Sequence, residues 1–151
     1  MRPLIVLAAV GMAACHSTRA PVSSETELPT TPVTLPNGKV IRAELATEPQ
    51  EQQRGLMFRT RLAPDHGMLF VFPEPGNHPF WMYHTLIPLD IIWMDASRRV
   101  VFLSPNTPPC PSENARECLN YGGQVTARFV LELAGGSIAA QGLQVGDTLR
   151  F

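Results

Sequence analysis

Residues 78–95, HPFWMYHTLIPLDIIWMD, decide how this chain is read. They are the most apolar stretch in its body, yet they enclose His84 and Asp90. FWMYH reads as one strand, Pro88 forces a break or an edge position, and LDIIWM reads as a second strand. On that second strand Asp90 shares a face with Ile92 and Met94, so its carboxylate points where a core is expected. A buried carboxylate needs donors or a cation. Arg59 and Arg128 are the candidate partners for a structural ion pair. The alternatives are that Asp90 grips a ligand in a pocket, or that it acts as a general acid or base. His84 and Thr85 end the first strand before a corner, where imidazole and hydroxyl groups can satisfy free backbone groups.

Outward from this stretch the pattern stays β-rich. VTLPNGKVIRAELA reads as two strands about a turn at Pro36-Asn37-Gly38. Thr47 and Gln50 suggest a capping box for a short helix over 48–54, with Gly55 as its C-cap. GMLFVF (67–72) is a short apolar strand, PEPGNHP a loop, VVFL a strand, TARFVLEL a strand and GDTLRF a terminal strand. AGGSIAAQG is at best a short helix ended by Gly142. These elements predict a mainly β domain with one or two short helices, a sandwich or a partly closed barrel. Alternation along LEL turns Glu132 away from Leu131 and Leu133, which predicts a solvated side chain. Trp81 and Trp93 read first as core residues and second as sugar platforms.

The N-terminus reads differently. Pro3–Ala14 is an apolar run the length of a signal-peptide core and too short to span a bilayer. It ends at Met12-Ala13-Ala14-Cys15, which resembles a bacterial lipobox. We therefore expect residues 1–14 to be a lipoprotein signal peptide and Cys15 to be the lipidated residue; cleavage further on, after Ala20, is the plainer alternative. His16, not an acidic residue, follows the cysteine, which favours the outer membrane. Residues 16–32 are rich in Ser, Thr and Pro and suit a flexible tether of roughly 25 Å reach. The expected organisation is thus a signal at 1–14, a lipidated Cys and tether at 15–32, and one β-rich domain at 33–151.

Net charge is -1, and the basic residues are scattered arginines with one lysine, Lys39. No basic stripe exists, so nucleic acid is not an expected partner. Cys110 and Cys118 lie in a turn-rich segment, PPCPSENARECLNY. In an exported chain a disulfide is the first reading, because a C-x7-C pair alone is poor zinc spacing. No cofactor is implied, and no metal site is assigned. A copper site from Met82 and His84 with Met57 and Met68 is a weaker alternative, and zinc from His78, His84 and Asp90 weaker again. Nucleophilic catalysis has no motif here.

Five ordered segments resemble the domain of unknown function 192 family of bacteria and archaea: GLMFR (55–59), GMLFVF (67–72), FWMYHT (80–85), IPLD (87–90) and LELAGG (131–136). His84 stands where that family usually has Asn. The resemblance implies a jelly-roll-like fold and an exported lipoprotein with a cysteine pair in a late loop. It implies no activity and carries no catalytic residue. The functional expectation is therefore a membrane-anchored envelope module that binds a ligand or protein through Arg59, Trp81, His84, Thr85 and Asp90. The runner-up is an enzyme on envelope polymers with Asp90 as acid or base.

Overall fold

The computed structural model describes residues 28–151. The expected signal, Cys15 and most of the expected tether lie outside the described residues. The main sheet has six strands in the order β1-β2-β3-β8-β5-β6. β1 (Thr30–Thr34) and β2 (Val40–Ala46) form a hairpin. Its turn is closed by Gly38 N–H donating to Leu35 O at 2.9 Å, with Gly38 at φ 87°. Helix α1 (Pro49–Arg54) and the segment after it cross over to β3 (His66–Asn77), which runs parallel to β2. β8 (Thr126–Ala134) is antiparallel to both β3 and β5 (Leu89–Met94), and β6 (Val100–Thr107) completes the far edge. A small second sheet pairs β4 (Phe80–Trp81) with β7 (Asn120–Tyr121). Helix α2 (Ser137–Gln141) ends at Gly142, in the left-handed conformation expected of it.

The chain is mainly β with two short helices, as its pattern predicts, and strand ladders do not close it into a barrel. The central strands are buried on both faces, and each face carries its own core. Ile92, Leu131, Leu133 and Leu69 pack one side, covered by Ile138, Leu143 and Leu149. Ile91, Trp93, Val130, Met68 and Phe70 pack the other, covered by Leu56, Met82, Phe80 and Tyr121. One long sheet therefore lies between two thinner covers.

Several boundaries differ from the pattern. β1 starts at Thr30, inside the expected tether, because Thr residues tolerate an edge strand and Pro32 can sit on one. β3 runs on to Asn77 through the expected loop. Residues 72–75 bulge out between the Val71–Phe129 and Gly76–Ala127 pairs, where Pro73 and Pro75 have no N–H to give the ladder. The expected strand FWMYH shrinks to Phe80–Trp81, since His84 turns the chain at φ 51°. α1 is capped one residue later than expected: Glu48 is the N-cap, and the Glu51 carboxylate accepts from Glu48 N at 3.0 Å and Thr47 N at 2.9 Å. The C-terminal segment is not a full strand. It makes single bridges, Thr34 to Arg150 and Arg99 to Thr148, and so ties the end of edge strand β1 to the turn entering edge strand β6.

Trp93 anchors the second face. It is fully buried, its Nε1 donates to His78 O at 2.9 Å, and Phe80 and Phe102 meet its ring edge-on. Gly122 lies against the indole at φ 72°, and a Cβ there would stand 2.1 Å from Trp93 Cε2. Gly122→Ala should therefore cost more than about 4 kcal/mol, through overpacking and a left-handed backbone together. Urea unfolding of the variant checks this; a midpoint near that of the parent would mean the β7 turn is free to move away from Trp93.

Candidate functional site

Two buried acids sit on neighbouring central strands and face opposite sides of the sheet. Asp90 on β5 is fully buried among the first core. Its Oδ1 accepts from Asn106 N at 2.7 Å and Gly136 N at 3.1 Å, and its Oδ2 accepts from Ile138 N. The expected arginine partner is thus replaced by backbone N–H groups. Two come from the start of α2, where helix geometry leaves N–H groups unpaired, and one from Asn106, whose φ of 46° turns its amide inward. Asp90 is a structural anchor, with no surface to offer a ligand.

Glu132 on β8 corrects the solvated-side-chain expectation. It faces away from Leu131 and Leu133, as alternation requires, but that face is also covered and Glu132 is only 4% exposed. Across the sheet its register neighbours are Met68 on β3 and Ile91 on β5, and Met68 in turn pairs with Glu44 on β2. Glu44, Met68, Glu132 and Ile91 therefore form one rung of the sheet. Burial pushes the Glu132 carboxyl up to about 8, only partly offset by the positive charge of Arg59. Its Oε2 has no hydrogen-bond partner. A neutral carboxyl group with one unpartnered buried oxygen calls for an explanation.

The cover over this rung is the GLMFR segment. Leu56 plunges into the second core, and Phe58 N–H donates to His84 O at 2.8 Å. The segment so pinned returns Arg59 to β2, where its guanidinium makes a two-pronged pair with Glu44 at 2.6 and 2.7 Å. Gly55 caps α1 at φ 47°, and a Cβ on it would lie 3.3 Å from Phe70 and 3.8 Å from Glu132 Oε2. The missing side chain leaves an approach to that oxygen.

Two separate spaces share lining residues there. An open cleft of about 320 Å³ is lined by Glu44, Glu51, Arg54, Met57, Arg59 and Met68, with Gly55 at its inner wall. Gly55, Arg54 and Met57 also border a cavity of about 20 Å³, roughly the size of one water, which reaches Trp81, Thr85 and Glu132.

Of the expected ligand-binding residues, Arg59 lines the cleft, while Trp81 and Thr85 line the smaller pocket. His84 does not join them. Its ring stacks with Phe58 at 4.9 Å and leans on Tyr83 at 3.8 Å. Its left-handed backbone is one that Asn and His adopt more readily than most residues. The copper set is not assembled, because Met82 is core while Met57 and Met68 line the cleft without His84. Nor is the zinc set, with Asp90 held on the opposite face, and among the described residues no three His, Cys, Asp or Glu side chains converge. Arg128 lies over the Phe129 ring and does not meet Asp90. Cys110 and Cys118 place their sulfurs 2.07 Å apart, at disulfide distance. Their loop braces the 80–85 corner, with Cys110 N–H donating to Met82 O at 3.2 Å and Tyr83 Oη to Glu113 O at 3.3 Å. Glu132 escaped the sequence reading, although one signal for it existed. A strand with apolar residues at almost every position, FVLEL, is a central strand with two covered faces.

Two outcomes follow from the paired acids. Asp90→Ala strands three backbone N–H groups and should cost about 3–5 kcal/mol, whereas Asp90→Asn keeps an acceptor and should cost less; denaturant unfolding of both variants decides. For Glu132 the folded carboxyl holds its proton up to about pH 8, against an ordinary value of 4.5. The folded state then binds more proton between those values, so its contribution is fully present below about 4.5 and is lost as pH rises through about 8. By pH 7 the loss is on the order of 3 kcal/mol. The charged groups around it are Arg59 and Arg54 on the cover and Glu44 on β2. Melting temperature should fall from pH 5 to 8.5 in the parent and stay flatter in Glu132→Gln; parallel curves would show that Glu132 does not carry the dependence.

Comparison with known proteins places these residues in a family context. The family model for domain of unknown function 192, described as an uncharacterized ACR, matches residues 32–151. A UPF0127 protein of Thermococcus gammatolerans is 31% identical over 110 residues, 72% of this chain. A second, from Thermococcus kodakarensis, is 28% identical over 117 residues, 76% of this chain. The chain spans 65% and 66% of the lengths of these relatives. A crystal structure of a protein of unknown function from Novosphingobium aromaticivorans superposes with a TM-score of 0.72 at 37% identity, covering 94% of this chain and 100% of that one. A Sinorhizobium meliloti protein proposed to be a transcription regulator gives the same TM-score, 0.72, at 31% identity, covering 83% of this chain and 96% of that one.

Proposed function

The chain belongs to the domain of unknown function 192 family, and for this member we propose an envelope-tethered module that binds a small polar ligand in the cleft between α1 and the Glu44 edge. The observation that carries this reading is the neutral, unpartnered Oε2 of Glu132 behind the Gly55 approach. Burying a carboxyl group without a partner costs stability, and a ligand that supplies the partner recovers it. The cleft has the size of a small-ligand site.

The enzymatic reading built on Asp90 is set aside, since a general acid or base must reach a reacting atom and Asp90 is enclosed with its oxygens occupied. Glu44 is an unsuitable base while Arg59 holds both of its oxygens. The label given to the Sinorhizobium protein does not transfer readily either, because this chain has a net charge of -1 and no basic stripe. We propose export and lipid anchoring through Cys15 on the MAAC sequence and the polar tether after it, and the outer membrane on His16, not an acidic residue, following the cysteine. Several acyl chains on one residue hold a protein to a membrane where a single chain would not.

Two measurements test the parts separately. Cys15→Ser should release the protein from the membrane fraction or block its processing; unchanged fractionation and processing would remove the anchor. A thermal-shift screen of small polar metabolites on the full chain should find a compound that raises the melting temperature of the parent but not of Glu132→Leu. Failure to find one across chemically broad classes, or an equal shift in Glu132→Leu, would remove the cleft as a binding site.

A further inference from the structure

Resting on that reading of the cleft, we infer that its ligand is an uncharged polyhydroxylated molecule, a sugar ring or short glycan, that lies against Trp81 and directs a hydroxyl through the Gly55 approach to Glu132. Four observations converge on this class.

The first is charge. The cleft wall carries Glu44 and Glu51 against Arg54 and Arg59, so its charges balance. An anion meets two carboxylates and a cation meets two guanidinium groups, whereas a neutral ligand incurs neither repulsion. The second is the hydrogen-bonding character of Glu132. A neutral carboxyl group donates through one oxygen and accepts through the other, and a sugar hydroxyl does both through one atom. A carboxylate or phosphate uses only the donor, and an ammonium group only the acceptor.

The third is the surface beside the cavity. Trp81, in the lining of the smaller pocket, is 36% exposed, and Phe58, in the lining of a neighbouring cleft with Glu44 and Arg59, is 58% exposed. They are the ends of a continuous aromatic strip. Trp81 meets Tyr83 at 5.8 Å, Tyr83 meets His84 at 3.8 Å, and His84 meets Phe58 at 4.9 Å. Of this strip Trp81 borders the pocket that holds Glu132, and an exposed ring beside a polar group can take the C–H face of a sugar. The fourth is the approach itself. Gly55 borders both the cleft and the smaller pocket, and the smaller pocket has room for a group about the size of a hydroxyl.

Tryptophan emission tests the inference directly. Of the two tryptophans, Trp93 is fully buried and Trp81 is exposed, so a ligand-dependent change that disappears in Trp81→Ala reports Trp81. The full chain is titrated with chitotriose, cellotriose and maltotriose, and with citrate and spermidine as charged counterparts. At least one trisaccharide should change the emission saturably while citrate and spermidine do not. Calorimetry on Trp81→Ala should show affinity for that trisaccharide weakened about tenfold. Glu132→Gln, which still donates and accepts, should bind within about threefold of the parent, and Glu132→Leu should lose binding; the glutamine variant keeps the test decisive should the leucine variant fold poorly. Saturable binding of citrate or spermidine with no trisaccharide binding overturns the sugar class and leaves the cleft reading standing. Trisaccharide binding that Trp81→Ala and Glu132→Leu leave unchanged places the ligand elsewhere and overturns the inference. Binding of no probe overturns it as well, and joined to an empty thermal-shift screen it removes the cleft reading too.

Discussion

Everything at the α2 end of the sheet depends on where the Asp90 carboxylate finds its hydrogen bonds. One side chain on β5 holds the left-handed residue Asn106 on β6 and the turn from β8 into α2. β5 lies between β8 and β6, so the same contact fixes both of its neighbours. Ile138 is then delivered to the first core together with Leu143, and Leu149 closes over them. A carboxylate can do this in a dry core because N–H groups at a helix start have no partner of their own. The desolvation cost of the acid and of the amides is met by one set of bonds.

Glu132 is the reverse case, and the contrast between the two acids lies in their partners. Both lie on central strands and both are enclosed. Asp90 meets the start of a helix; Glu132 meets Phe70, Met68 and Gly55, none of which offers a donor to Oε2. The acid therefore keeps its proton to about pH 8, and its Oε2 remains without a partner beneath the cover. The cover is itself stiff: Leu56 is in the core, Phe58 is bonded to the His84 corner, and Arg59 is clamped on Glu44. The wall beside Glu132 is thus held by contacts already in place, so the binding proposed there would need little ordering.

The sequence was informative where one strand's pattern suffices. The β class, the hairpin at Asn37-Gly38, β5, β8, the Gly55 and Gly142 caps and the cysteine pair all follow from local chemistry. Asp90 was legible as a buried carboxylate in need of partners. The identity of those partners was not, because they come from a turn 46 residues away and from a φ that no pattern announces. Alternation placed Glu132 on the correct face but could not say that the face is roofed. The roof is assembled from residues 55–59 and 80–85, and only the tertiary structure brings those two segments together. FWMYH had strand composition, yet the left-handed turn at His84 overrides propensity after two residues.

The motifs themselves acquire a physical meaning from this arrangement. GLMFR supplies Gly55 and Arg59, GMLFVF supplies Met68 and Phe70, FWMYHT supplies Trp81 and Thr85, and LELAGG supplies Glu132. Four segments scattered over some 80 residues thus converge on one carboxyl group, while the fifth, IPLD, supplies the anchor on the opposite face. If those segments served packing alone, an apolar residue at position 132 would do better. It would lie between Met68 and Ile91 without an orphaned oxygen and without the pH-dependent cost. An acid in that position, with a glycine opening toward it and a clamped arginine beside it, departs from what stability favours. Such departures are where a functional role is sought first, and the binding proposed at the Gly55 approach to Glu132 rests on this one.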